Sequence, residues 1–242
     1  MQKLIPALMI CCAASGAALA RESKPDHEVS FNAAIASDYR YRGISQTRLK
    51  PALQGGADYT HNPSGFYAGT WLSTIKWTKD AGGDGSIEWD IYGGRRGQIT
   101  ADISYDVGLL GYYYPSNGLR PNANTAEIYG QVGTGPAYVR YSHAVTNLFG
   151  FSDSRNSGYL DIGANLDAGE NLQLTLHAGY QMVRHHSASS YADWKIGLTK
   201  KLGLFTGAVA LIGTSTDSYV GPAADARNLG KTALLLTLSK VF

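Results

Sequence analysis

The stretch Ala101-Asp102-Ile103-Ser104-Tyr105-Asp106-Val107-Gly108-Leu109 decides the fold. Ala101, Ile103, Tyr105, Val107 and Leu109 are apolar or aromatic, and the positions between them are polar or small. Successive side chains of an extended strand point to opposite faces, so this segment has one greasy face and one polar face. The same period runs through Val29, Phe31, Ala33 and Ile35, and through Ile87, Trp89 and Ile91, which alternate with Glu88, Asp90 and Tyr92. It returns in Leu172, Leu174, Leu176, Ala178 and Tyr180, which alternate with Gln173, Thr175, His177, Gly179 and Gln181. Ala192, Trp194, Ile196 and Leu198 alternate with Tyr191, Asp193, Lys195 and Gly197, and Leu234, Leu236 and Leu238 continue the pattern. A soluble β-sandwich alternates too, so the spacing of the connections decides between the two.

Short connections are predicted at His61–Ser64, Arg95–Gln98, Thr134–Pro136, Asp167–Asn171 and Lys200–Leu202. Long ones are predicted at Arg40–Lys50, Trp77–Gly85, Pro115–Ala123, Asn147–Ser157, Arg184–Ser189 and Thr214–Asn228. Alternating short and long connections are the rhythm of an up-and-down transmembrane barrel, with tight periplasmic turns and longer extracellular loops. About twelve strands of about ten residues fit between them, each long enough to cross a bilayer at a tilt. The predicted fold is therefore an all-β, antiparallel transmembrane barrel. Its last strand must pair with its first, because an open edge cannot face lipid. The chain stops on Phe242, which resembles the terminal aromatic signature read by the barrel-assembly machinery, although Lys240 departs from it. Around 66–75 and 204–213 both faces are almost equally apolar, and a one-residue slip there would exchange them.

The N-terminus reads as an export signal. Lys3 precedes an apolar run, Leu4 to Ala14, and Ala18-Leu19-Ala20 is an A-x-A cleavage site. Residues 1–20 are thus expected to be removed and residues 21–242 to form one barrel domain. Cys11 and Cys12 lie in the removed part, and Ile10 before Cys11 does not suit a lipoprotein site. The mature chain from Arg21 then has no cysteine, which excludes disulfides and thiolate metal sites. Beyond Ala20 no apolar run approaches the length of a membrane helix. With 29 Gly, 16 Tyr, 4 Trp and 17% charged residues in 242, the composition suits strands, tight turns and interfacial aromatic belts. The net charge is +2 and the basic residues are scattered, so no nucleic-acid-binding patch stands out.

The run Ser37-Asp38-Tyr39-Arg40-Tyr41-Arg42-Gly43-Ile44-Ser45-Gln46-Thr47, followed by Pro51-Ala52-Leu53-Gln54-Gly55, resembles the opening of the TorF-type porins of proteobacteria. Gly65–Trp71, Glu88–Gly94, Tyr112–Pro115, Thr125–Tyr129, Gly158–Asp161 and Tyr191–Lys195 extend the resemblance in order along nearly the whole mature chain. It implies an outer-membrane barrel with a pore role, and supplies neither a substrate nor functional residues.

If the apolar sets face lipid, the alternate sets face the lumen. The inward acids are then Asp38, Asp58, Glu88, Asp90, Asp102, Asp106, Glu127, Asp161 and Asp193, and the inward bases Arg40, Arg140 and Lys195. Nine acids against three bases would favour cations in a narrow passage. The alternative is a packed interior in which the bases pair with some of the acids. About eight strands are filled by their own side chains and about sixteen leave an aqueous channel, so a dozen gives a narrow lumen. Tyr92, Tyr129, Tyr138, Tyr159 and Tyr191 share the inward parity. They could form a track for ring-shaped solutes or simply fill space. Arg40 and Arg42, at the mouth of the first long loop, are candidates for a constriction.

Enzyme signals are weaker. Ser142 and His143 are adjacent, hence on opposite faces, and cannot form a dyad. His177 has lumen parity among Gln173, Thr175 and Gln181, and His185 and His186 fall in a loop. No paired-His metal spacing occurs. Gly82-Gly83-Asp84-Gly85 lacks the Lys-Ser/Thr of a phosphate loop. Asp80 and Asp84 could hold a weak calcium ion or simply stand in solvent. Gly55-Gly56 and Gly93-Gly94 are expected to relieve crowding within the closed wall. The sequence thus predicts an outer-membrane channel for passive passage of small polar solutes, without catalysis, metal or cofactor. Its expected partners are outer-membrane lipid, the barrel-assembly machinery and an unidentified solute. A barrel-embedded hydrolase and a structural or adhesive barrel acting through its loops remain the alternatives.

Overall fold

The computed structural model describes residues 25–242; Ala18, Ala20 and the rest of the predicted export signal lie outside the described residues. Fourteen strands follow in order: β1 (His27–Ala36), β2 (Arg40–Tyr41), β3 (Ile44–Ser45), β4 (Ala52–His61), β5 (Phe66–Thr74), β6 (Ile87–Gln98) and β7 (Ile103–Tyr113), then β8 (Thr125–Thr134), β9 (Ala137–Ala144), β10 (Gly158–Asp167), β11 (Leu172–Met182), β12 (Tyr191–Leu202), β13 (Phe205–Thr214) and β14 (Ala233–Val241). β2 and β3 form a separate small hairpin, and the other twelve close into an antiparallel barrel. Closure is made by β1, which pairs with β4 from His27↔His61 to Ala36↔Ala52 and with β14 from Asn32↔Val241 to Ala36↔Thr237. Each strand otherwise pairs with its sequence neighbour.

The greasy faces point out. Val29, Leu53, Leu109 and Leu234 are each more than 60% exposed, and the outward positions of other strands follow suit. A large apolar side chain left in water forgoes about 1.5–3 kcal/mol relative to an apolar environment, so this surface belongs in a bilayer. Among the described residues no helix is long and apolar enough to cross a membrane; the strands are the crossing elements. The two regions of uncertain parity are settled by burial. Trp71, Ser73 and Ile212 face in, while Phe66, Leu72 and Leu211 face out.

Two predicted turns are misplaced. Arg95–Gln98 lies inside β6, and the chain turns at 99–102 instead. The charge of this stretch and its Gly97 resemble turn chemistry. Pairing with β7 keeps it extended, with Arg95 lying over the outward Phe66 ring. Asp102 consequently sits in that turn, exposed, and is not part of the wall; its backbone N–H donates to Thr100 Oγ1. Lys200–Leu202 likewise belongs to β12, and the turn falls on Gly203, which adopts φ +64°.

Candidate functional site: the barrel lumen

The loop at 37–51, which carries β2 and β3, is folded into the barrel. Tyr39, Arg42, Ile44, Ser45 and Thr47 are all buried. Its path is set by a tight turn at Arg42 (φ +46°) and Gly43 (φ +81°). A Cβ at Gly43 would stand 2.9 Å from Asp193 Cβ and also crowd Thr214, so only glycine allows the turn to lie this close to β12 and β13. Arg40 and Asp38 hold the loop in place. Arg40 Nε donates to Asp38 Oδ2 at 2.5 Å, and its Nη1 donates to the carbonyls of Gly43, Leu229 and Lys231. Asp38 Oδ1 accepts from Ser45 Oγ and Thr47 Oγ1. These two residues, predicted as wall charges, lie beyond β1 in the loop and are spent on tying it down.

Arg42 reaches across the lumen. Its Nη2 donates to Glu127 Oε2 on β8 at 2.7 Å and its Nη1 to Gln181 Oε1 on β11 at 2.6 Å. Both strands belong to the far side of the ring from β1 and β4, where the loop is rooted. The guanidinium lies over the Tyr159 ring at 4.1 Å and the Tyr41 ring at 4.7 Å. Tyr41 donates to Tyr112 Oη, Tyr112 donates to Glu127, and Tyr39 donates to Glu88 Oε1 at 2.6 Å. Burial pushes the phenols of Tyr39 and Tyr41 well above their ordinary range, so they remain donors.

Other inward residues form further networks. His177 lies between two aspartates, with Nδ1 2.8 Å from Asp161 Oδ1 and Nε2 2.7 Å from Asp193 Oδ1. Tyr138 donates to Asp161, Tyr159 donates to Asp193, and Lys195 faces both acids. A general base needs a free nitrogen, and both nitrogens of His177 are engaged. Asp106 accepts from Tyr67 at 2.6 Å; Tyr67 also bonds Tyr129, whose ring lies 3.7 Å beneath the Arg140 guanidinium. Asp58 accepts from Tyr92. Arg96, hidden from sequence reading by the misplaced turn, lies over the Tyr67 ring at the short-turn end. The charge count therefore shifts: nine acids less Asp102 leave eight, and three bases plus Arg42 and Arg96 make five. One inward carboxylate stands apart: neither oxygen of the fully buried Asp90 has a partner among the described residues.

Five inward tyrosines share a packing arrangement that the sequence did not reveal. Tyr92 lies over Gly69 on the next strand, Tyr67 over Gly94, Tyr129 over Gly108, Tyr138 over Gly163 and Tyr159 over Gly179. A methyl at Gly69 would stand 2.5 Å from Tyr92 Cε2, and one at Gly108 would stand 2.5 Å from Tyr129 Oη. The rings lie along the wall, over positions with no side chain.

The loop residues fill other roles. His185 and His186 bond the carbonyls of Asp153 and Ser152, joining two loops at the long-loop end. Asp80 is ion-paired with Arg48 and Asp84 with Lys79. Among the described residues no group of three or more ligating side chains could hold a metal. Ser142 is buried and inward, whereas His143 bonds Asn156 in the following loop.

Residues 20–242 match the family described as "Bacterial protein of unknown function (Gcw_chp)". The chain belongs to this family. Its structure is similar to the KdgM porin, with TM-score 0.56 and 8% identity over 88% of this chain and 98% of that one. It is also similar to a membrane protein from a study of in-meso crystallization, with TM-score 0.52 and 9% identity over 88% and 83% of the two chains. At such identities the likeness is one of fold. No curated protein matches the chain.

Proposed function

We propose that this family member is an outer-membrane channel that passes small polar solutes passively through a lumen narrowed by the inward loop. The observation that carries the reading is the seating of tyrosine rings over glycines, which lays the aromatic lining along the wall. The folded-in loop, with Arg42 bridging to Glu127 and Gln181, is the constriction in this reading. Glu88, Asp90, Tyr92, Asp106, Glu127, Tyr129, Arg140, Asp161, His177, Asp193 and Lys195 line the path. Most of the acids have partners, so any cation preference would rest chiefly on Asp90. The likeness to TorF-type porins in sequence and to the KdgM porin in fold is in keeping with this role. Residues 1–20 would direct export, and the barrel-assembly machinery would read Phe242 as the chain enters outer-membrane lipid. A hydrolase finds no support in His177. Refolded protein in planar bilayers should give step currents in potassium chloride; bare-bilayer currents would refute the channel.

A further inference from the structure

An unpaired carboxylate in a membrane barrel needs a reason, because an isolated buried charge is costly. Asp90 is fully buried and both its oxygens lack partners among the described residues. The side chains that could satisfy it are committed elsewhere: Tyr39 donates to Glu88 and Tyr112 to Glu127. Its surroundings are aromatic. Cross-strand pairing sets Trp71 of β5 on one side of Asp90 and Tyr112 of β7 on the other. Tyr92 is the next inward residue on β6, and Tyr39 meets Trp71 edge-on at 5.3 Å. Glu88 and Glu127 lie within electrostatic reach. Against these three carboxyl groups stands Arg42, which is paired with Glu127, so neither Glu88 nor Asp90 has a salt-bridge partner among the described residues.

We infer that Asp90 anchors a binding site for a primary ammonium group inside the lumen, walled by Trp71, Tyr92, Tyr112 and Tyr39. The inference rests on the channel reading in one respect, that the cation reaches the site through the lumen. The chemistry is specific. Aromatic faces attract any cation, but two empty acceptor oxygens call for N–H donors. A primary ammonium supplies three donors and a compact charge. A quaternary ammonium supplies none.

Refolded protein in detergent at neutral pH is titrated calorimetrically with methylammonium, tetramethylammonium and potassium chlorides, with tryptophan fluorescence followed in parallel. Saturable methylammonium binding is expected, at least about tenfold tighter than either other cation. Asp90→Asn should weaken it at least about tenfold while keeping the heat-modifiable migration of a folded barrel. Trp71→Leu should weaken it without touching the carboxylate, and covers the case in which the first variant fails to refold. Absence of methylammonium binding, equal binding of all three cations, or undiminished binding in the variants would each overturn the site. Step currents in potassium chloride without methylammonium binding would sink this inference alone. Binding in detergent without step currents would sink the channel and leave the site.

Discussion

Replacing Arg42 by alanine removes a side chain that joins the inward loop to both β8 and β11. Two charge-assisted hydrogen bonds are lost, and Glu127 and Gln181 are left in the interior. Removing one partner of a buried pair costs about 3–5 kcal/mol, mostly through the charge left behind. Tyr112 still donates to Glu127 at 3.3 Å, which places the expected loss at the lower end, about 3 kcal/mol. Urea titration of refolded protein in micelles, read by tryptophan fluorescence, measures it. Adding Glu127→Gln removes the orphaned charge and should restore at least about 1 kcal/mol, the coupling typical of contacting residues. In planar bilayers the single variant should show larger and noisier steps, because the loop has lost its far anchor. A loss below about 1 kcal/mol would equate the pair with an exposed salt bridge. Unchanged conductance would mean that the loop does not form the narrowest point.

Three other perturbations probe separate parts of the wall. Gly69→Ala drives a methyl against the Tyr92 ring; overpacking of this kind costs about 1–3 kcal/mol, and conductance should fall as the ring is pushed inward, an effect that Tyr92→Ala in the same chain should reverse. His177→Ala takes the imidazole from between Asp161 and Asp193 and leaves them Lys195 and the neutral donors Tyr138 and Tyr159, so the reversal potential in a salt gradient should move towards cations; an unmoved potential would place this cluster off the path. Leu236→Arg, on the outward face of β14, should cost about 2–4 kcal/mol if it lies near the bilayer midplane, measured by urea titration in lipid vesicles, whereas a neutral outcome would put that face elsewhere.

The barrel was legible because alternation is a property of every strand, and one strand's parity can be checked against the next. Glu88, Asp90, Asp106, Glu127, Asp161 and Asp193 all turned inward for that reason. The turns were less legible. Gly97 in β6 and Lys200 in β12 mimic turn chemistry locally, and only pairing with the neighbouring strand overrides it. The partners of the wall charges were the least legible, since pairing across a lumen depends on loops whose sequence has no period. Arg42 reads as a mouth residue from its place in the first long loop, but its contact with Glu127, 85 residues away, has no local signal. Arg96 was lost with its misplaced turn. The glycines beneath Tyr67, Tyr92, Tyr129, Tyr138 and Tyr159 could have been sought, because ring and glycine belong to inward sets on adjacent strands, but finding them requires the register.

That seating of phenol rings in hollows of the backbone separates two properties that usually trade against each other. A wide bore in a small barrel normally means short side chains, hence few hydrogen-bonding groups and little grip on a passing molecule. Here each hollow seats a large polar aromatic close against the wall, so the surface stays chemically rich while each ring takes up less of the bore. The calibre would then be heritable at residues that never touch cargo. A lineage could narrow or widen its passage by exchanging glycine for alanine behind a ring, leaving every group that meets the solute in place.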